Sequence, residues 1–324
     1  MNLKSKIPVW LKYIIKAIPH FFYDSYRFYK YSGFRSVKKE NSLVALIVHD
    51  YHVIEKGLTM PETRFGFGKA KMLVLISNCK LYINRFGYNN GQVKHSVQVI
   101  LEYEKTHAQE GHKLDNDLIN AIQSLKDIAH ENKVCEQIQI TKNEYFSHTS
   151  SPFSQFSNSR KSIRNYVETD LKISRIQNAI NLARNTPSAC NRQTSRVYVY
   201  TDKEQIKRIL DVQGGNRGFG HLTNKLIVIA ADQGVFFGLN ERYQTYIDGG
   251  MFAMNILYAL HHEKIAGCIL NCSHSVEKDK RMRQVCPINK SEVYIAMITC
   301  GEAPEQFMIA QSYRNPLEEY LKVF

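Results

Sequence analysis

The feature that most constrains the fold is a change of periodicity near residue 160. Before it, residues 43–58, 70–87, 93–107 and 114–130 carry apolar side chains three and four apart, the spacing of one buried helical face. After it, helical stretches alternate with short β-rich runs at 196–202, 225–232, 267–272 and 292–301. Such alternation predicts a sheet covered by helices on both faces. Between the two regimes, residues 145–159 are Ser-rich and contain a Pro, which is the composition of a linker. The expected organisation is a helical N-terminal part over 1–144, a linker over 145–159 and a second domain over 160–324.

Charge is spread unevenly. The chain of 324 residues carries a formal +13. Residues 1–40 hold nine basic and two acidic residues, a net +7, together with the only Trp and many Tyr and Phe. Lys12, Lys16, Asp24 and Arg27 interrupt this stretch, so it is not expected to span a membrane, and no small-residue cleavage site marks it as a signal peptide. Basic plus aromatic fits an interfacial helix on an anionic membrane, or a helix packed on its own domain or on a partner subunit. No nucleic-acid recognition module is visible. Seven scattered cysteines without a Cys-x-x-Cys argue against a disulfide framework and for a reducing cytoplasm.

Three short stretches stand out as chemistry-bearing. RKSIR at 160–164 would place Arg160, Ser162 and Arg164 on one side of an extended segment, with Lys161 adjacent. Guanidinium groups and a hydroxyl in that arrangement suit a phosphate; a solvated basic face is the plainer alternative. YRNP at 313–316 puts Arg314 in an extended piece, because Pro316 biases the preceding residue away from helix. PSACNRQ at 187–193 follows a helix that Pro187 must end, and it gathers Ser188, Asn191 and Gln193 in one polar loop.

Taken in order, these stretches resemble the nitroreductase family of FMN flavoproteins, over roughly residues 155–324. The resemblance implies an α+β fold, a three-layer α/β/α sandwich with a mixed sheet, here preceded by a helical N-terminal domain. It implies a homodimer with FMN at the subunit interface and the long apolar helix after Asp248 in the dimer core. Arg160, Lys161, Ser162 and Arg314 would hold the ribityl phosphate and nearby oxygens. Arg164 would sit by flavin N1 and the C2 carbonyl, where a fixed cation stabilises the charge left by two-electron reduction. Pro187, Ser188, Asn191 and Gln193 would reach the ring from the other subunit. Asn216 falls where the family often places an Asn on the flavin, and Leu270 and Asn271 fall where a backbone amide faces N5. Arg164 and Asn271 are thus the expected catalytic residues. NAD(P)H is the implied hydride donor and a small organic molecule the acceptor, even though the Rossmann glycine fingerprint is absent.

The pattern also departs from the family. Leu-Asn-Cys replaces a Gly-bearing turn at 270–272, Ser312 stands where a basic residue is frequent, and Thr-Ser follows Gln193. A non-catalytic binding or scaffold subunit in a membrane-proximal assembly therefore stays open as an alternative. In the N-terminal part, HDYHVIEKGL and RFGFG resemble segments of nitroreductase-like proteins found with polysaccharide-biosynthesis enzymes, which implies a glycan- or lipid-linked substrate. His49, His52 and Glu55 share a helical face, but a local hydrogen-bonded cluster is expected there in preference to a metal.

Overall fold

A computed structural model describes residues 8–33 and 39–324; Lys4, Lys6, Arg35 and Lys38 of the basic N-terminal stretch lie outside the described residues. Four helices form an N-terminal bundle: α2 (Glu40–Leu58), α3 (Lys69–Phe86), α4 (Gly91–Gln109) and α5 (Asn116–Ala129). Their buried faces follow the three-and-four spacing, as in Leu43, Ile47, Ile54 and Leu58 of α2 or Met72, Leu75, Ile76 and Cys79 of α3. Together these side chains make one apolar core.

The second half is built on four strands, β2 (Ser195–Tyr200), β3 (Lys225–Asp232), β4 (Ala266–Asn271) and β5 (Glu292–Gly301), in the order β2-β3-β5-β4. Alternate residues of β3 face opposite ways. Leu226 and Val228 pack with Ile206 and Leu210 of α9 (Lys203–Gln213) and Met282 of α11 (Val276–Val285). Ile227 and Ile229 pack with Ile176 and Ala179 of α8 (Ile173–Ala183) and with Ile256 and Leu260 of α10 (Gln244–His262). This is the expected three-layer arrangement. The sheet itself is antiparallel at each of its pairings rather than mixed. β3 and β4 run the same way, but β5 is inserted between them, so no two parallel strands become neighbours.

The two halves share a seam. β1 (Ile138–Thr141) pairs antiparallel with β6 (Gln306–Ile309), joining the end of the helical part to the C-terminal segment. The Ser-rich stretch is packed: Tyr145, at the end of the short helix α6 (Lys142–Tyr145), and Phe146 are buried, and Phe156 of α7 (Phe153–Ser159) lies 5.5 Å from the Tyr258 ring. A short helix, α12 (Leu317–Tyr320), follows Arg314.

Helix α1 (Val9–Tyr31) contributes no buried residue. Asp24 anchors it, accepting hydrogen bonds from Arg242 at 2.7 and 2.9 Å and from the Tyr243 hydroxyl at 2.6 Å. Trp10, Ile14, Ile18, Phe21, Phe22 and Phe28 stay exposed along the length of the helix. No described helix is long and apolar enough to cross a membrane.

Candidate functional site

The RKSIR segment runs extended beside β4. The Ile163 N–H donates to the Gly267 carbonyl at 3.1 Å, and the Ile163 side chain is buried. Tyr145, missed in the sequence reading, fixes the segment's entry. Its hydroxyl donates to the Lys161 carbonyl at 2.7 Å and accepts from the Lys161 N–H at 3.1 Å. Arg160 follows α7 directly, and its Nε is buried without a partner. His261 lies close by, but burial, followed by the charge of Arg160, lowers its pKa to about 4, so it is neutral near pH 7.

Arg314 reaches this segment from the far end of the chain. The Lys161 pKa is lowered by burial, then by the charges of Arg314 and Arg160, so the three cations lie within electrostatic reach of one another. No carboxylate forms an ion pair with any of them among the described residues. Three neighbouring cations, one with an orphaned buried N–H, form an environment that an oxyanion would satisfy. A phosphate-bearing cofactor fits this donor set.

The helical bundle sets where Arg314 lies. Glu55 of α2 is 0% exposed, and its Oε1 lies 2.7 Å from His95 Nε2 and accepts the Ser312 N–H at 3.3 Å. His52 Nδ1 lies 3.5 Å from the other oxygen. Burial alone would raise the Glu55 pKa, but the neighbouring His52 and His95 rings outweigh it and bring it down to about 2. The carboxylate therefore stays ionised within a histidine cluster. His49 turns away to Asp50, at 2.8 Å. Further contacts continue the clamp: Tyr313 stacks on His95, Gln92 donates to Asn315 at 2.5 Å, and Gln311 N–H donates to Gln137 at 3.0 Å. Ser312 takes a left-handed φ of 50° to make this path.

Arg164 is half-buried, and its charge helps lower the pKa of Lys56, after burial as the main cause. Lys56 is the second residue that sequence reasoning missed; its position beside Glu55 on α2 was the available signal. Ser162 is half-buried, and its hydroxyl makes no hydrogen bond among the described residues.

The 187–193 loop stands apart from these cations. Pro187, Asn191 and Gln193 are exposed, and Cys190, Asn191 and Gln193 all adopt positive φ. Ser188 Oγ accepts the Gln193 N–H at 2.9 Å, and buried Asp248 of α10 accepts the Ala189 N–H at 3.1 Å. No hydrogen bond or ion pair joins this loop to Arg160, Lys161, Arg164 or Arg314 among the described residues. Three non-glycine residues at positive φ within four positions give this loop a strained path.

Asn216 commits its side-chain amide to the Leu210 carbonyl at 2.6 Å, closing the end of α9. At the sheet edge, the Asn271 carbonyl accepts Gln213 Nε2 at 3.1 Å from outside the ladder. A residue of an antiparallel strand points its N–H and C=O the same way. Asn271 therefore turns its backbone amide outward, whereas Leu270 faces Met297 within the sheet and buries its side chain.

Residues 158–216 match the sequence model of the Nitroreductase family, so this region is nitroreductase-like. No curated protein matches the chain. Similar solved structures include an FMN-dependent nitroreductase from Clostridium difficile, with 20% identity over 52% of this chain and 96% of that chain and a TM-score of 0.43. A nitroreductase-like family protein from Bacillus cereus has 13% identity over 54% of this chain and 96% of that chain, with a TM-score of 0.45. A nitroreductase-like protein in complex with FMN, from Desulfovibrio desulfuricans, has 20% identity over 54% of this chain and 99% of that chain, with a TM-score of 0.43.

Proposed function

We propose that this protein is a homodimeric FMN-dependent oxidoreductase that takes hydride from NAD(P)H and delivers it to a small organic acceptor in the cytoplasm. The observation that carries the reading is that Arg160, Lys161 and Arg314, drawn from opposite ends of one domain, lie within electrostatic reach of one another with no ion pair among the described residues. Arg160, Lys161 and Arg314, with Ser162 beside them, would hold the FMN phosphate. Bound there, FMN would supply two-electron chemistry at its N5. Arg164 would place a fixed positive charge against the ring's N1–C2 edge, and the outward Asn271 amide would face N5. Asn216, spent on Leu210, would shape the pocket through its backbone. The N-terminal likeness to proteins associated with polysaccharide biosynthesis supports an acceptor on a glycan-related molecule.

The exposed 187–193 loop would serve the second subunit's flavin through Pro187, Ser188, Asn191 and Gln193. Tyr246, Ile247, Met251 and Met254 expose an apolar face on the same α10 that anchors the loop, as a two-fold interface requires. Helix α1 would rest on an anionic membrane. Its apolar row is flanked by Lys12, Lys16, Arg27 and Lys30, and its one acid, Asp24, is already taken by Arg242.

Replacing Arg160 or Arg314 by Ala should weaken FMN by about 1.5–3 kcal/mol each, as for loss of a charge-assisted hydrogen bond. Full flavin occupancy in both purified variants would overturn the phosphate assignment. For the shared site, an Arg164→Ala subunit refolded with an Asn191→Ala subunit should recover up to about a quarter of wild-type activity with random pairing. A confirmed heterodimer with no recovery would put both residues in one subunit's site. For the membrane, the full chain should bind anionic liposomes in a salt-sensitive way, and a chain lacking residues 1–40 should not. Equal partitioning of the two would leave α1 as ordinary packing.

A further inference from the structure

A cavity of about 460 Å³ opens along the seam between the helical bundle and the loop that follows α9. Its apolar floor comes from Val53, Met60, Phe67 and Phe219. Lys56, Arg64 and Arg217 stand around it against a single acid, Glu62. None of these four charged side chains forms an ion pair or a side-chain hydrogen bond among the described residues. The lining excludes Arg160, Lys161 and Arg314, so this is not the phosphate cradle described above. It adjoins that site through Lys56, whose ammonium feels the charge of Arg164.

The wall of the cavity is rigid. A Cβ at Gly57 would overlap the Phe67 ring, so α2 and the RFGFG segment close on each other only because residue 57 is Gly. Phe67 is pinned from its other side by Tyr103, 5.2 Å between ring centroids, and the Tyr103 hydroxyl donates to the Phe67 carbonyl at 2.8 Å. Gly66 N–H donates to His107 Nε2 at 2.9 Å, and Gly66 and Gly68 have φ of 78° and 69°. Met60 reaches across the seam to within 3.1 Å of where a Cβ on Gly218 would lie. Arg64 and Arg217 are thus held on opposite banks of a preformed groove.

We infer that this seam cavity binds the phosphate group of a reaction partner, with Lys56, Arg64 and Arg217 as its ligands and the Phe67–Phe219 floor taking the apolar body next to it. Two guanidiniums and an ammonium over an apolar floor suit a phosphate or diphosphate ester better than a neutral molecule. That the ligand is a partner in the flavin reaction rests on the function proposed above. Two sources share this chemistry, the 2′-phosphate of NADPH and a phosphorylated acceptor.

The test uses the full-length protein with inorganic pyrophosphate as probe, measured by calorimetry after saturation with FMN. Arg64→Ala and Arg217→Ala remove exposed, unpartnered side chains, so the fold should survive. Each should weaken pyrophosphate about tenfold, the size of one charge-assisted contact, while flavin content stays at the wild-type level. Arg160→Ala should do the reverse, lowering flavin content and sparing pyrophosphate. Should the Arg64 and Arg217 variants bind pyrophosphate as wild type does, or should wild type not bind it at millimolar concentration, the cavity assignment is wrong even in a fully flavinylated protein. Should no FMN bind at all while pyrophosphate still depends on Arg64 and Arg217, the cavity stands and the flavin reading fails. Steady-state kinetics then separate the sources: a rise in KM for NADPH but not NADH identifies the donor's 2′-phosphate, and unchanged KM for both identifies the acceptor.

Discussion

A buried carboxylate on the helical bundle, Glu55, determines where the C-terminal segment lies. It is fully enclosed, it contacts His95, and it accepts the backbone N–H of Ser312, 257 residues away in sequence. An ionised carboxylate with no exposure is tolerated only when donors or opposite charges lie close to it. Here His95 of α4 and the Ser312 N–H from the chain's far end meet Oε1, and His52 of α2 lies 3.5 Å from Oε2, so accommodating the charge brings all three segments together. Tyr313 on His95, Asn315 on Gln92 and the β1–β6 pair continue the same seam. Arg314, between two pinned neighbours, is exposed within electrostatic reach of Lys161.

The consequence is an electrostatic imbalance that the fold does not repair. Some cations elsewhere are paired, as in Lys69 with Asp115 or Lys225 with Asp170. Around Lys161 they are not, and burial with two like charges lowers its pKa. Unrelieved repulsion in a half-buried site disfavours the free protein and favours an anion-bound one, because ligand binding adds stability by mass action. Arg164 and Lys56 extend the basic strip along the seam toward Arg64 and Arg217. The helical half is therefore a wall of the site as well as its clamp.

Much of the fold was legible because each element declares its burial locally. The bundle helices bury one face and show it as a three-and-four repeat. β3 is buried on both faces and shows it as an unbroken apolar run, Leu226–Ala231. What escaped detection depends on distant partners. Residues 138–141 fall inside the part read as helical and form a strand only because 306–309 pairs with them, and the Ser-rich 145–159 hides Phe156, whose role needs Tyr258. The same holds at the site. The order of RKSIR, PSACNRQ and YRNP was readable, and so was a hydrogen-bonded cluster at Glu55. That the cluster's third partner is Ser312, and that Lys56 beside it meets Arg164, follows only from the packing of the two halves.

The most direct test is the flavin affinity of Glu55→Gln. The substitution keeps the shape and removes the charge, so His95 and the Ser312 N–H lose their acceptor anion while Arg160, Lys161 and Arg314 remain present. Loosening of the 311–315 segment should cost FMN about tenfold in Kd, or roughly 1.4 kcal/mol, with the chain still folded by circular dichroism. A Glu55→Gln protein that binds FMN as tightly as wild type would contradict the account, because Arg314 would then hold its position without the buried carboxylate.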